Sequence, residues 1–94
     1  YFSRATIPYL KGKKINNWLS EHTFYKHIGI YAFKRQTLSE ITKLPVSDLE
    51  IAEGLEQLRW IENGYSIQAA ITDKESQAID TPEDLIKLLK LLKN

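Results

Sequence analysis

The sequence predicts an α/β layered fold, and three observations carry that reading. Strand patterns stand over 24–33 and 65–71, helix-start signatures stand at Ser47 and Thr81, and the two kinds of segment are interleaved along the chain. The element order is strand, connection, strand, helix, helix, strand, helix, with no internal repeat, which points to crossover layering and not to a bundle. With 94 residues, 43% hydrophobic and 27% charged, the chain has the composition of an ordinary globular domain with one core at most.

Residues 1–7 are aromatic and β-branched and stop at Pro8, which lacks the N–H a ladder needs and suits a strand end. Residues 9–23 mix lysines, Gly12, Asn16 and Asn17 with Ile15, Trp18 and Leu19, and read as a connection with about one helical turn. The second strand, over 24–33, sets Ile28, Ile30 and Ala32 on one face and Tyr25, His27, Gly29, Tyr31 and Phe33 on the other, so both faces should be covered. Residues 36–44 form a short helix with Leu38 and Ile41 inward, ending ahead of Pro45 because the residue before a proline is pushed out of α geometry.

Ser47-Asp48-Leu49-Glu50 fits a capping box, and Ile51, Leu55, Leu58 and Ile61 recur at helical spacing until Asn63-Gly64 supplies a left-handed stop. One continuous helix is expected there. Tyr65, Ile67, Ala69 and Ile71 give the third strand, followed by a polar loop over 72–78. Thr81 as N-cap, Pro82 at the first helical position and Asp84 three residues after the cap open a last helix, with Leu85, Leu88, Leu89 and Leu92 inward and lysines 87, 90 and 93 in water.

Thirteen basic residues against 12 acidic ones leave a net charge of +1, which gives no general attraction to nucleic acid or to an anionic membrane. The lack of cysteine removes disulfides and thiolate chemistry and fits a reducing compartment, so a cytoplasmic location is expected. No apolar run is long enough to span a bilayer, and the opening Tyr1-Phe2-Ser3-Arg4, with neither a methionine nor a leader pattern, reads as a cut edge.

Four segments carry a family resemblance: Tyr1-Phe2-Ser3-Arg4-Ala5-Thr6-Ile7-Pro8, His27-Ile28-Gly29-Ile30-Tyr31, Leu55-Glu56-Gln57-Leu58-Arg59 and Asp80-Thr81-Pro82-Glu83-Asp84-Leu85. Together, in this order, they resemble the 3-deoxy-manno-octulosonate (Kdo) cytidylyltransferases. The last recurs across the wider nucleotidyltransferase superfamily, while the other three are narrower. The resemblance implies the C-terminal part of a Rossmann-like nucleotide-diphospho-sugar transferase fold, three strands with flanking helices, that serves as the sugar-binding and dimer-forming half over residues 1–94. The CTP-binding half, with its nucleotide loop and an upstream metal-binding aspartate, would precede Tyr1. It also implies transfer of CMP from CTP to Kdo with release of pyrophosphate for lipopolysaccharide synthesis, dependence on Mg²⁺, a homodimer, and little activity in this segment by itself.

The site residues follow from the same resemblance, set beside what the residues say alone. Asp80, just ahead of an N-cap, by spacing alone merely complements a helix terminus; the family's metal-binding aspartate falls here, so Asp80 is the expected Mg²⁺ ligand and catalytic carboxylate. Arg4 alone would be a surface arginine at a strand edge, but a guanidinium suits the Kdo carboxylate through two parallel hydrogen bonds. His27 and Tyr31 share a strand face about Gly29, and on an extended strand they would stand about 13 Å apart, serving a long ligand or separate subsites. Glu56 and Gln57, expected on the helix back with Leu49, Glu53 and Trp60, offer an acceptor and an amide to sugar hydroxyls. A zinc site is not expected, since His22 stands alone in a loop.

Two rival readings stay open. Residues 36–71 have the outline of a winged helix, although Asp48, Glu50, Glu53 and Glu56 crowd the would-be recognition helix and Arg59 alone opposes them. A catalytically silent oligomerisation domain would use Leu49 and Trp60 as exposed apolar contacts.

Overall fold

The computed structural model describes residues 1–74 and 78–93, so positions 75–77 of the expected polar loop lie outside the described residues. Its regular structure is helical. A 3₁₀ turn at Ile15–Asn17 runs into α1 (Trp18–Glu21), followed by α2 (Arg35–Ile41), α3 (Asp48–Glu53), α4 (Gln57–Glu62) and α5 (Pro82–Leu92). The three expected strands are absent among the described residues: 1–7, 24–33 and 65–71 carry no regular structure. The three-stranded α/β arrangement is therefore corrected. Alternating apolar residues prefer an extended path, but a strand exists only when another segment completes its ladder. None of these three segments pairs with another.

The helix expected to run from Ser47 to Asn63 is also corrected. Gly54 adopts a left-handed conformation (φ 63°, ψ 37°) and ends α3, its N–H donating to the Glu50 carbonyl at 2.7 Å. The chain then re-enters helix at Gln57. At the start of α3 the Ser47 N–H donates to Glu50 Oε2 at 3.3 Å, while the Ser47 hydroxyl is buried without a hydrogen-bond partner among the described residues. Gly64 (φ 88°) supplies the stop after α4.

The two short helices are tied together by charge. Arg59 donates from Nε to Glu50 Oε2 at 2.7 Å and from Nη2 to Oε1 at 2.6 Å, a bidentate pair that bridges the Gly54 turn. Its Nη1 reaches the Leu44 carbonyl at 3.4 Å, and the Tyr65 hydroxyl donates to Glu40 Oε2 at 2.9 Å, so α2 joins the same unit. At its centre Leu58 is fully buried, beside Ile41, Trp60 and Gln57. A second cluster forms around Trp18, whose ring meets Tyr9 edge-on at 5.3 Å and lies nearly parallel to Phe24 at 6.2 Å.

The remainder is open. A folded monomer of this mass exposes roughly 5,600 Å² and has a radius of gyration of about 12 Å. This chain exposes 8457 Å² with a radius of 17.0 Å. Helix α5 starts as expected: the Asp84 N–H donates to Thr81 Oγ1 at 3.2 Å, and Asp84 Oδ2 accepts from the Thr81 N–H at 3.1 Å. Of the leucines expected inward, however, Leu85, Leu89 and Leu92 are exposed and only Leu88 is half-buried. Ile30 and Tyr25 likewise face solvent, so the second segment is not covered on both faces.

Candidate functional site

A cavity of about 430 Å³ opens against α2 and α4, within the usual size of small-ligand sites. Tyr31, Phe33 and Trp60 form an aromatic wall, Leu38 and Ile41 line an apolar side, and Thr42, Glu56, Gln57 and Arg59 bring polar groups. The wall is built edge to face, with Trp60 5.4 Å from Tyr31 and 5.2 Å from Phe33 at interplanar angles of 90° and 88°. Trp60 is buried, which corrects its expected place on an exposed helix back.

The break at Gly54 sets the polar side. In a continuous helix Gln57 would lie opposite the Leu55–Leu58 stripe; restarting the helix turns it inward, where it is 5% exposed. Its Nε2 is buried without a hydrogen-bond partner among the described residues. Such a donor is costly unless something accepts from it, by roughly 1–3 kcal/mol. Glu56, adjacent and more exposed, contributes an acceptor to the same cavity.

His27 and Tyr31 meet each other and do not stand at separate subsites. The Ile30 N–H donates to the Ile28 carbonyl at 2.9 Å, a three-residue turn centred on Gly29 that shortens the segment. The two rings come to 5.7 Å, and the Tyr31 hydroxyl is hydrogen-bonded to His27 Nε2. Burial, and then the charge of Glu56, push the Tyr31 phenol up from its ordinary value, so it stays protonated at neutral pH.

Arg4 lies outside the cavity lining. Its Nε donates to the Glu53 carbonyl at 2.6 Å and its Nη2 to the Gly54 carbonyl at 2.8 Å. Phe2 packs edge-on against His27 at 5.0 Å. Asp80 is exposed ahead of α5, and its backbone N–H, not its carboxylate, makes the contact to Asp84 Oδ2 at 3.1 Å. Thus the structure gathers Tyr31, Glu56 and Gln57 around one cavity with His27 behind Tyr31, and leaves Arg4 and Asp80 apart from it. Phe33, Thr42, Arg59 and Trp60 were missed as lining residues. The aromatic spacing of Tyr31, Phe33 and Trp60 was the available signal.

No group of three or more His, Asp or Glu side chains converges among the described residues, so a cage made wholly by them is absent. Asp80 offers one exposed carboxylate ahead of α5.

The cavity joins an aromatic wall to adjacent amide and carboxylate groups, and comparison with known proteins sets the class of the chain. The family profile described as Cytidylyltransferase matches residues 1–81, and the chain belongs to that family. Within it, the chain is similar over its whole length to proteins named 3-deoxy-manno-octulosonate cytidylyltransferase: 62% identical over 94 residues to that of Parabacteroides distasonis, and 54% over 94 residues to that of Bacteroides thetaiotaomicron. The corresponding protein of Porphyromonas gingivalis is 52% identical over 94 residues, again all of this chain. The chain spans 38%, 38% and 37% of the lengths of these three relatives. No described helix is long and apolar enough to cross a membrane.

Proposed function

We propose that this segment forms the sugar-facing part of an enzyme that transfers CMP from CTP to Kdo, a step of lipopolysaccharide synthesis in the cytoplasm. The single observation that carries the sugar assignment is the buried, unpartnered Gln57 amide beside Glu56 in an aromatic-walled cavity. An amide donor and a carboxylate acceptor side by side suit adjacent hydroxyls, and Tyr31, kept protonated, adds a third polar group. The relatives' names support the reaction class.

In the reaction the anomeric hydroxyl attacks the α-phosphorus of CTP. A new O–P bond forms, the α–β phosphoanhydride bond breaks, pyrophosphate leaves and the hydroxyl proton is released. These residues bind and orient the sugar so that its anomeric oxygen is presented to the nucleotide, and the aromatic wall keeps water off one side. Asp80 would supply a carboxylate to Mg²⁺, which neutralises phosphate charge when bound. The 94 residues contain no nucleotide loop of the family's kind, so the reading gives them sugar binding and not turnover by themselves. What supports a homodimer is the uncovered apolar face of α5.

A DNA-binding role is not favoured. The would-be recognition helix breaks at Gly54, and its arginine is held by Glu50. The test of the reading is pyrophosphate release by the full-length protein carrying this segment, assayed with CTP and a panel of acidic sugars. Turnover confined to Kdo, with a raised Kdo KM in Gln57→Ala, is expected. Turnover that ignores the sugar, or an unchanged KM in that variant, would overturn it.

A further inference from the structure

We propose that Asn63-Gly64 is a self-modifying site, at which the Asn63 side chain converts to aspartate or isoaspartate when the stop that ends α4 opens locally. The pair lies outside the cavity lining, so the inference stands apart from the sugar reading. Asparagine is among the thermolabile side chains, and its conversion needs no enzyme. Once its proton is lost to water or hydroxide, the Gly64 backbone nitrogen attacks Asn63 Cγ. A new N–C bond forms, the Cγ–Nδ2 bond breaks, and ammonia leaves behind a succinimide ring. Water then adds to one of the two ring carbonyls and breaks its bond to the nitrogen. Opening at Cγ gives aspartate, and opening at the backbone carbonyl gives isoaspartate, whose main chain runs through an added methylene. A glycine at the attacking position leaves the nitrogen unhindered. Nothing stands within 4 Å of a Cβ built on Gly64, and both residues are exposed to the water the reaction consumes.

The fold keeps the two reacting atoms apart. Asn63 Nδ2, the leaving group, donates to the Arg59 carbonyl at 2.7 Å, and the Gly64 N–H, the nucleophile, donates to the Ile61 carbonyl at 3.1 Å. Both acceptors belong to the last turn of α4, where a helix leaves carbonyls without intrahelical partners. With ψ of Asn63 at 17°, the Gly64 nitrogen is turned away from Asn63 Cβ, and ring closure requires it to swing to the same side. That swing breaks both hydrogen bonds. It also displaces Tyr65, whose N–H donates to the Trp60 carbonyl at 3.0 Å and whose hydroxyl donates to Glu40 Oε2 at 2.9 Å, tying the exit of α4 to α2. The reactive arrangement therefore belongs to a locally opened state. Conversion then works against closing. Either product lacks the Nδ2 donor and leaves a carboxylate beside Glu62 at the negative end of α4, and isoaspartate also lengthens the path to Tyr65.

The experiment incubates the full-length protein at mildly alkaline pH across a urea series and follows residue 63 by peptide-map mass spectrometry, with Tyr65→Phe and Asn63→Asp variants alongside. Gating predicts conversion roughly ten- to a hundredfold slower in the native protein than in the unfolded chain, the factor that two cap hydrogen bonds supply. The native rate should climb in urea below the unfolding midpoint, and Tyr65→Phe, which frees the exit of α4, should raise it about threefold or more. Asn63→Asp, which reproduces one product, should lower Tm by roughly 2–4 °C. Equal rates in native and unfolded protein would show that the α4 stop gates nothing and overturn the inference. A native rate that ignores both sub-midpoint urea and Tyr65→Phe would replace local opening by global unfolding and overturn it too; if Tyr65→Phe does not fold, the urea series alone decides. Absence of conversion in the unfolded chain would remove the site, and an unchanged Tm in Asn63→Asp would contradict its effect on closing.

Discussion

Replacing Gln57 by methionine separates the stability of the empty site from its function. The side chain is 5% exposed and its Nε2 has no partner among the described residues. Leaving an amide donor buried and unpaired costs roughly 1–3 kcal/mol. Methionine is close in length and volume and removes the donor, at a packing cost of under about 1.5 kcal/mol for a swap of similar volume. The balance is a gain of about 1 kcal/mol in the unliganded protein, or roughly 2–4 °C in Tm for a domain of 150–250 residues. Sugar binding should move the other way, because a hydroxyl that accepted from Nε2 loses its donor and meets a thioether. Thermal unfolding without ligand, followed by titration with Kdo, reads both effects on one sample. A variant that is less stable when empty and binds Kdo as well as before would mean that Nε2 serves the fold, and the sugar assignment of Gln57 would be withdrawn.

Leu58→Ala removes the fully buried side chain of the α2–α4 unit and should cost about 2–5 kcal/mol in denaturant unfolding, with Trp60 fluorescence as the probe. Acid should loosen the same unit. The Arg59 hydrogen bond holds Glu50 below its ordinary value of 4.5, so its stabilisation is fully present above that value and is lost as pH falls through the lowered one. Glu50→Gln should flatten the dependence, and an unaltered acid transition in that variant would remove the pair from the account. In the full-length protein, Asp80→Asn should abolish Mg²⁺-dependent turnover with Tm nearly unchanged, because the cap contact there is made by the Asp80 N–H. Asp84→Asn should instead weaken the start of α5, since the Asp84 carboxylate accepts from two backbone N–H groups and is lowered chiefly by the Asp80 one.

What the sequence made legible was local. Thr81 and Asp84 reciprocate at the start of α5, and Gly64 stops α4, because caps and left-handed stops depend on residues within one turn. Gly54 has the same chemistry, but Ile51, Leu55 and Leu58 keep helical spacing straight through it. Periodicity counts residues and does not register a left-handed conformation between them. The Glu50–Arg59 pair was hidden for that reason, as nine residues apart is a helix neighbour relation only when the helix turns back on itself. Strand readings failed at the other end of the scale. Alternation reports which side of a segment seeks cover, whereas a ladder needs a second segment. At Gly29 an i to i+2 hydrogen bond drew His27 and Tyr31 together against the pattern.

The cavity's own charges limit what it can recognise. Kdo is an anion, yet the cationic side chain in the lining, Arg59, is paired through both Nε and Nη2 with Glu50. Arg4 spends the matching edge on carbonyls, and Glu56 adds a negative charge. An anionic substrate held here by its carboxylate would pay for desolvation without a charge partner. Its hydroxyls, on the proposed reading, would meet Gln57, Glu56 and Tyr31 instead. On the proposed reading, discrimination at this wall would act on the hydroxyl pattern, and sites built to hydrogen-bond a hydroxyl reject analogues lacking it strongly, because their own buried polar groups are left unpaired. A Kdo analogue deprived of the hydroxyl facing Gln57 should lose more affinity for this half of the site than one deprived of its carboxylate. Binding measured without nucleotide decides between them, and the opposite order would place a free cation against the substrate and contradict the pairing of Arg59 with Glu50.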